Sequence, residues 1–194
     1  MGLLGIAVAH GLAISIAVSA IGHISGGHIN PAVTIGFWVT KKMGTLDALS
    51  YWVAQLAGGI AAAYLLRTLM AEDVWRPAML GTPLVARDFT VANAIILEAV
   101  LTFFLVFVVF ATAADERGAF GKIAGFAIGL TVAMDILVGG PFTGASMNPA
   151  RSLGPALAAK AWANHGVYWV GPLLGGALAG ALYNAVFLRK TEAA

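Results

Sequence analysis

The chain has 194 residues, of which 60% are hydrophobic and only 10% charged, with a formal net charge of +2. Soluble domains carry roughly 25% charged residues, and the mean hydropathy of +0.88 is far from theirs. The small net charge and the lack of any basic cluster argue against a nucleic-acid partner, and the absence of cysteine excludes disulfides and thiolate metal sites.

A spanning helix takes about 20 mostly apolar residues. Five stretches qualify in chain order: Leu3–Gly22, Asp47–Met70, Val91–Ala113, Lys122–Gly139 and Val167–Leu188. They are apolar on all sides and too long for the alternating strands of a membrane barrel, so the expected class is an all-α membrane protein. The first stretch lacks a basic leader and a cleavage site followed by polar sequence, and reads as a span rather than a signal peptide.

Two short tracts interrupt the spans, and they organise the chain as a repeat. Gly11-Leu12 recurs as Gly129-Leu130, and Asn30-Pro31-Ala32 recurs as Asn148-Pro149-Ala150, at one common spacing. Tyr51-Trp52-Val53 recurs as Tyr168-Trp169-Val170, and Gly58-Gly59 as Gly175-Gly176, at a spacing one residue shorter. Each unit reads span, glycine-rich loop, Asn-Pro-Ala, short apolar helix, span. One unmatched span, Val91–Ala113, separates the units and turns the second upside down. Inverted units with broken helices meeting near the midplane are a design for lining a pathway. Irregular backbone at that depth is tolerated only inside protein or beside a water-filled cavity.

The second unit is preceded by a span carrying Glu98 and Thr102, whereas the first begins near Met1. The repeat therefore leads one to expect a leading span missing from the first unit, with a five-span variant as the alternative. The expected domain is a single one over 1–194, with repeat one at 1–70 and repeat two at 90–194. Lys41, Lys42, Arg117, Lys122, Arg189 and Lys190 fall on one membrane side. Arg67, Arg76, Arg87 and Lys160 fall on the other, which favours a cytoplasmic C-terminus.

In Asn-Pro-Ala, Pro31 and Pro149 suit a first helical turn, where the missing N–H costs nothing. Asn30 and Asn148 suit the N-cap and can direct amide N–H groups at a permeant. Ala32 and Ala150 are small enough for two caps to touch. Each short helix would present its positive dipole end to the centre, a field that opposes cations, protons included.

His23-Ile-Ser-Gly-Gly-His28-Ile-Asn-Pro-Ala-Val33 and Gly140-Pro-Phe-Thr-Gly-Ala-Ser-Met-Asn-Pro-Ala-Arg151-Ser resemble the two signature loops of the aquaporin (major intrinsic protein) family. The resemblance covers the whole chain except the family's first span. It implies an inverted repeat of five spanning helices here and two re-entrant half-helices, a passive channel, no enzymatic activity and no cofactor. It also implies a homotetramer in a lipid bilayer, with one pore per subunit. Matching residue by residue, the family's selectivity constriction falls on His10, Ile136, Ala145 and Arg151. That set, the tract Gly140–Leu157 and the segment from Tyr168 to Leu173 are similar to the tonoplast intrinsic subfamily. Strict water channels carry an aromatic residue where His10 stands and a histidine where Ile136 stands.

The expected permeants are water and small neutral solutes such as ammonia or urea. Ile136 and Ala145 widen one side of the constriction, while Arg151 repels cations. A glycerol facilitator is the alternative, but the family's glycerol channels follow the loop arginine with aspartate, and Ser152 stands here. A non-transporting remnant is a further alternative. An intramembrane enzyme lacks a nucleophile–base pair. His23 and His28 are spaced as metal ligands could be, yet no carboxylate or cysteine accompanies them, so pore lining or loop support is expected. The resemblance implies that Glu98 supports the second loop through backbone N–H groups. Asp135 turns away from the pore if Ile136 faces it, and its acidity departs from the subfamily's usual amide. High alanine content points to a bacterial inner membrane, and the constriction to a vacuolar one.

Overall fold

The computed structural model describes residues 2–117 and 123–188. Lys122, at the expected start of the fourth span, lies outside them, as do Arg189 and Lys190 of the orientation argument. The described residues form helices and turns. Five helices are long and apolar enough to cross a membrane: α1 (Leu3–Ser25), α3 (Thr45–Leu69), α5 (Val91–Val109), α6 (Ala124–Thr143) and α8 (Val167–Tyr183). The ends of α5 and α8 loosen into π turns at Phe110–Ala114 and Asn184–Leu188. Two half-helices, α2 (Pro31–Val39) and α7 (Pro149–Ala159), follow the Asn-Pro-Ala tracts. A short α4 (Glu72–Trp75) and a 3-10 turn at Met79–Gly81 lie in the connection to α5.

Two helices run past their expected ends. The first reaches Ser25 rather than Gly22, and the fourth span continues from Gly139 through Gly140 and Pro141 to Thr143. Glycine and proline weaken a helix in water. At membrane depth an unpaired backbone group costs more than they do, so the ladder persists. It stops where glycine permits a left-handed turn, at Gly26 (φ 73°) and Gly144 (φ 80°).

α1 lies along α6 and α5 along α8, while each half-helix packs on the closing span of the other repeat: α2 on α8 and α7 on α3. Small residues make these approaches possible, since helix association in lipid rests on close packing rather than water exclusion. A Cβ on Gly11 would stand 2.6 Å from the Gly129 carbonyl oxygen, and one on Gly59 2.5 Å from that of Ala150. Gly176 meets Ala32 in the matching place of the other repeat.

The symmetry fails at one face. Gly175 of α8 is pressed against the Ala99 backbone of α5, but its repeat mate Gly58 of α3 meets nothing within 4 Å. Of their spanning windows, 11% of α1 and 6% of α3 are buried, against 44% of α6 and 39% of α8. No described helix covers α1 and α3 as α5 covers α8.

Candidate functional site

Each half-helix starts on its asparagine. Asn30 Oδ1 accepts from the Ala32 N–H at 2.8 Å, and Asn148 Oδ1 accepts from those of Ala150 (3.0 Å) and Arg151 (3.2 Å). The proline beside each takes the first helical position, and Pro31, Ala32, Pro149 and Ala150 are buried. The residue before each asparagine is left-handed, Ile29 at φ 48° and Met147 at φ 53°. For a β-branched isoleucine that is a strained geometry that only a surrounding structure can hold.

What holds it is reciprocal. Asn30 Nδ2 donates to the Met147 carbonyl at 2.8 Å, and Asn148 Nδ2 donates to the Ile29 carbonyl at 3.0 Å. The two strained turns aim their carbonyls at each other's asparagine, and the loops are latched tip to tip. An amide nitrogen has two N–H groups, so one remains on each asparagine after the latch. Both asparagines line a cavity of about 470 Å³. The N-termini of α2 and α7 converge there, each carrying roughly half a positive elementary charge.

The same cavity is lined by His10, Ile136, Ala145 and Arg151. Arg151 Nη1 donates to the Gly81 carbonyl at 2.9 Å, and Nη2 lies 3.3 Å from His10 Nε2. His10 Nδ1 is 2.9 Å from the Ile6 carbonyl, which can only accept, so the proton sits on Nδ1 and Nε2 accepts from Arg151. His10 thereby bridges α1 and α7. The lining also includes the apolar Ile14, one turn along α1 from His10, and Ile128, Val132 and Ile136 of α6.

Glu98, fully buried on α5, grips the second loop. Its Oε1 accepts from the Ser146 N–H at 2.9 Å and the Thr143 hydroxyl at 2.8 Å, and Oε2 accepts from the Met147 N–H at 2.8 Å. In the first loop His28 Nδ1 meets Thr34 Oγ1 at 3.1 Å, and its ring packs against Phe37 and Tyr51 at 4.5 and 5.2 Å between centroids. His23 lines the cavity and makes no side-chain hydrogen bond among the described residues. No group of three or more potential metal ligands occurs among the described residues.

Several supporting groups escaped the sequence reading. Gln55 Nε2 donates to Thr34 Oγ1 at 3.0 Å, and the Gly81 carbonyl fixes Arg151. Tyr51 donates to the Ser25 carbonyl and Tyr168 to that of Thr143, at 2.8 and 2.9 Å. Only the tyrosines had a signal in the sequence, as matched positions in the two repeats. Asp135, 1% exposed and outside the cavity lining, has no hydrogen-bond partner on either oxygen among the described residues. Nothing among the described residues accounts for the acid.

Two inverted half-helices latched tip to tip in a bundle of membrane-length helices, beside a cavity lined by Arg151, define a pore-forming membrane protein. The Major intrinsic protein family profile matches residues 1–183, and the chain belongs to that family of channels. It is 47% identical over 192 residues to Aquaporin TIP2-1 of Arabidopsis thaliana, covering 98% of this chain and 75% of that protein. It is 50% identical over 188 residues to Aquaporin TIP2-2 of Zea mays, covering 96% and 73%. Its fold is similar to that of the aquaglyceroporin from Plasmodium falciparum, with a TM-score of 0.87 over 99% of this chain and 86% of that one, at 22% identity.

Proposed function

We propose that the chain is a passive channel for water that also passes small neutral solutes such as ammonia or urea. The observation that carries this is the reciprocal latch, which leaves one N–H of Asn30 and one of Asn148 beside the cavity at the convergence of two helix N-termini. A water crossing there accepts hydrogen bonds from both amides and cannot pass a proton onward through its own lone pairs. The converging positive fields and the Arg151 guanidinium oppose cations by charge. His10, Ile136, Ala145 and Arg151 form the constriction, with His10 and Arg151 polar and Ile136 and Ala145 apolar. Water, ammonia and urea fit that mixture, and small apolar Ala145 gives urea room.

His28 and Glu98 act as loop supports, one for each repeat. The working unit is a homotetramer with a pore in each subunit, which gives the exposed apolar helix faces a protein partner. The resemblance to plant TIP aquaporins supports a vacuolar-type membrane over the bacterial inner membrane that alanine content suggested.

Stopped-flow swelling of proteoliposomes tests the channel. Two preparations are compared: this chain, and this chain joined to an N-terminal apolar span that can cover the open faces of α1 and α3. Osmotic volume changes faster than in protein-free vesicles, lost on Asn148→Leu, are expected in at least one of them. No acceleration in either would overturn the reading.

A further inference from the structure

At the membrane face where α3 ends, a second cavity of about 300 Å³ is lined by Arg67, Trp75, Arg76, Met79, Ala158, Ala159 and Lys160. It holds three cations and no carboxylate. Arg67 Nη1 donates to the Ala158 carbonyl at 2.7 Å and its guanidinium lies 5.1 Å from the Trp75 ring centre, so capping α7 accounts for that residue. Arg76 lies 5.7 Å from the same ring and also pairs with Glu72. Lys160 ends α7 in a left-handed turn (φ 57°) that sets its side chain at the cavity. Among the described residues no carboxylate pairs with Arg67 or Lys160. Capping and stacking account for Arg67, and stacking with the Glu72 pair accounts for Arg76, whereas the Lys160 side chain has no hydrogen-bond or carboxylate partner among the described residues although it borders the same hollow.

The surroundings indicate what fills it. Tryptophan concentrates at the level of lipid headgroups. Leu69, Met70 and Val74, which lie between Arg67 and Trp75 in the sequence, are exposed apolar side chains. We propose that this cavity binds a phosphate group, held by Arg67, Arg76 and Lys160, with the headgroup of an anionic phospholipid as its source. Arginine offers a planar fork of donors to phosphate oxygens, lysine adds a mobile charge, and the Trp75 ring aligns the two guanidinium groups. The carbonyls closing α7 would repel an anion. Arg67 already occupies the Ala158 carbonyl, which turns that repulsion into a cationic lining.

The experiment reads binding rather than transport, so it stands or falls apart from the channel reading. The detergent-purified chain is titrated with phosphatidylglycerol or phosphatidylcholine, and lipid adducts are counted by native mass spectrometry. The double variant R76Q/K160Q, altered only at exposed side chains, should bind phosphatidylglycerol about thirtyfold more weakly, roughly fivefold for each cation near an anionic headgroup. Arg87→Gln, an exposed cation elsewhere in the same connection, should bind as the unaltered chain does. Displacement of the lipid by millimolar inorganic phosphate would uphold the phosphate site and assign it a soluble ligand, whereas resistance upholds the lipid. Equal binding by phosphatidylcholine, an undiminished adduct in the double variant, or an equal loss in Arg87→Gln would overturn the proposal.

Discussion

Glu98→Gln is the sharpest test of how the second loop is held. The change keeps the side chain's shape and replaces one carboxylate oxygen with an amide nitrogen. If the remaining oxygen stays with Ser146 and Thr143, the new NH2 faces the Met147 N–H, donor against donor. A hydrogen bond to a charged group contributes about 1.5–3 kcal/mol and a neutral one about 0.5–1.5 kcal/mol, while a buried unsatisfied donor costs about 1–3 kcal/mol. Two bonds weakened by about 1 kcal/mol each, with the third replaced by an orphaned N–H, come to about 4 kcal/mol. For a chain of this size that corresponds to roughly 8–16 °C in unfolding midpoint. Thermal unfolding in detergent, followed by tryptophan fluorescence, measures it, with the exposed Glu116→Gln as control. Glu98→Ala removes all three acceptors and should fall further. A Glu98→Gln midpoint indistinguishable from that of Glu116→Gln would refute the idea that the carboxylate organises the loop.

His10→Phe removes the acceptor of Arg151 and narrows the polar side of the constriction. Swelling assays should show urea and ammonia passage falling more than water passage, and equal losses would deny His10 a filtering role. Gly129→Ala places a Cβ onto Ser15 and the Gly11 carbonyl, forcing α1 from α6 at a cost of about 1–3 kcal/mol, readable as a lowered unfolding midpoint. At the start of α8, the Trp169 indole N–H donates to Nε2 of His165 in the preceding turn at 3.1 Å, which requires a neutral imidazole. Burial lowers the His165 pKa, so its contribution is complete above the unfolded-state value of about 6.5 and declines as pH falls below it. The unfolding midpoint should drop between pH 7 and 5 by the equivalent of about 1 kcal/mol, and His165→Phe should flatten that slope. Mercurials should leave permeability unchanged, because the chain has no cysteine; thiol-reversible block would contradict the pore assignment.

The sequence by itself determined the spans, the repeat and the half-helix starts. Hydrophobic length, a recurring Asn-Pro-Ala and the capping preference of asparagine are properties of neighbouring residues, and lipid enforces them strictly. It misjudged where α6 ends, because Gly139, Gly140 and Pro141 break helices in water but not where an unpaired carbonyl has no solvent. The tertiary structure alone decided which groups meet. That Asn30 bonds Met147 and Asn148 bonds Ile29, that Gly81 and His10 share Arg151, and that Gln55 reaches Thr34 all depend on how distant segments sit together. No pattern along the chain encodes a carbonyl's direction. The left-handed turns at Ile29 and Met147 were equally hidden, since their strain is sustained by the opposite repeat rather than favoured by their own residues.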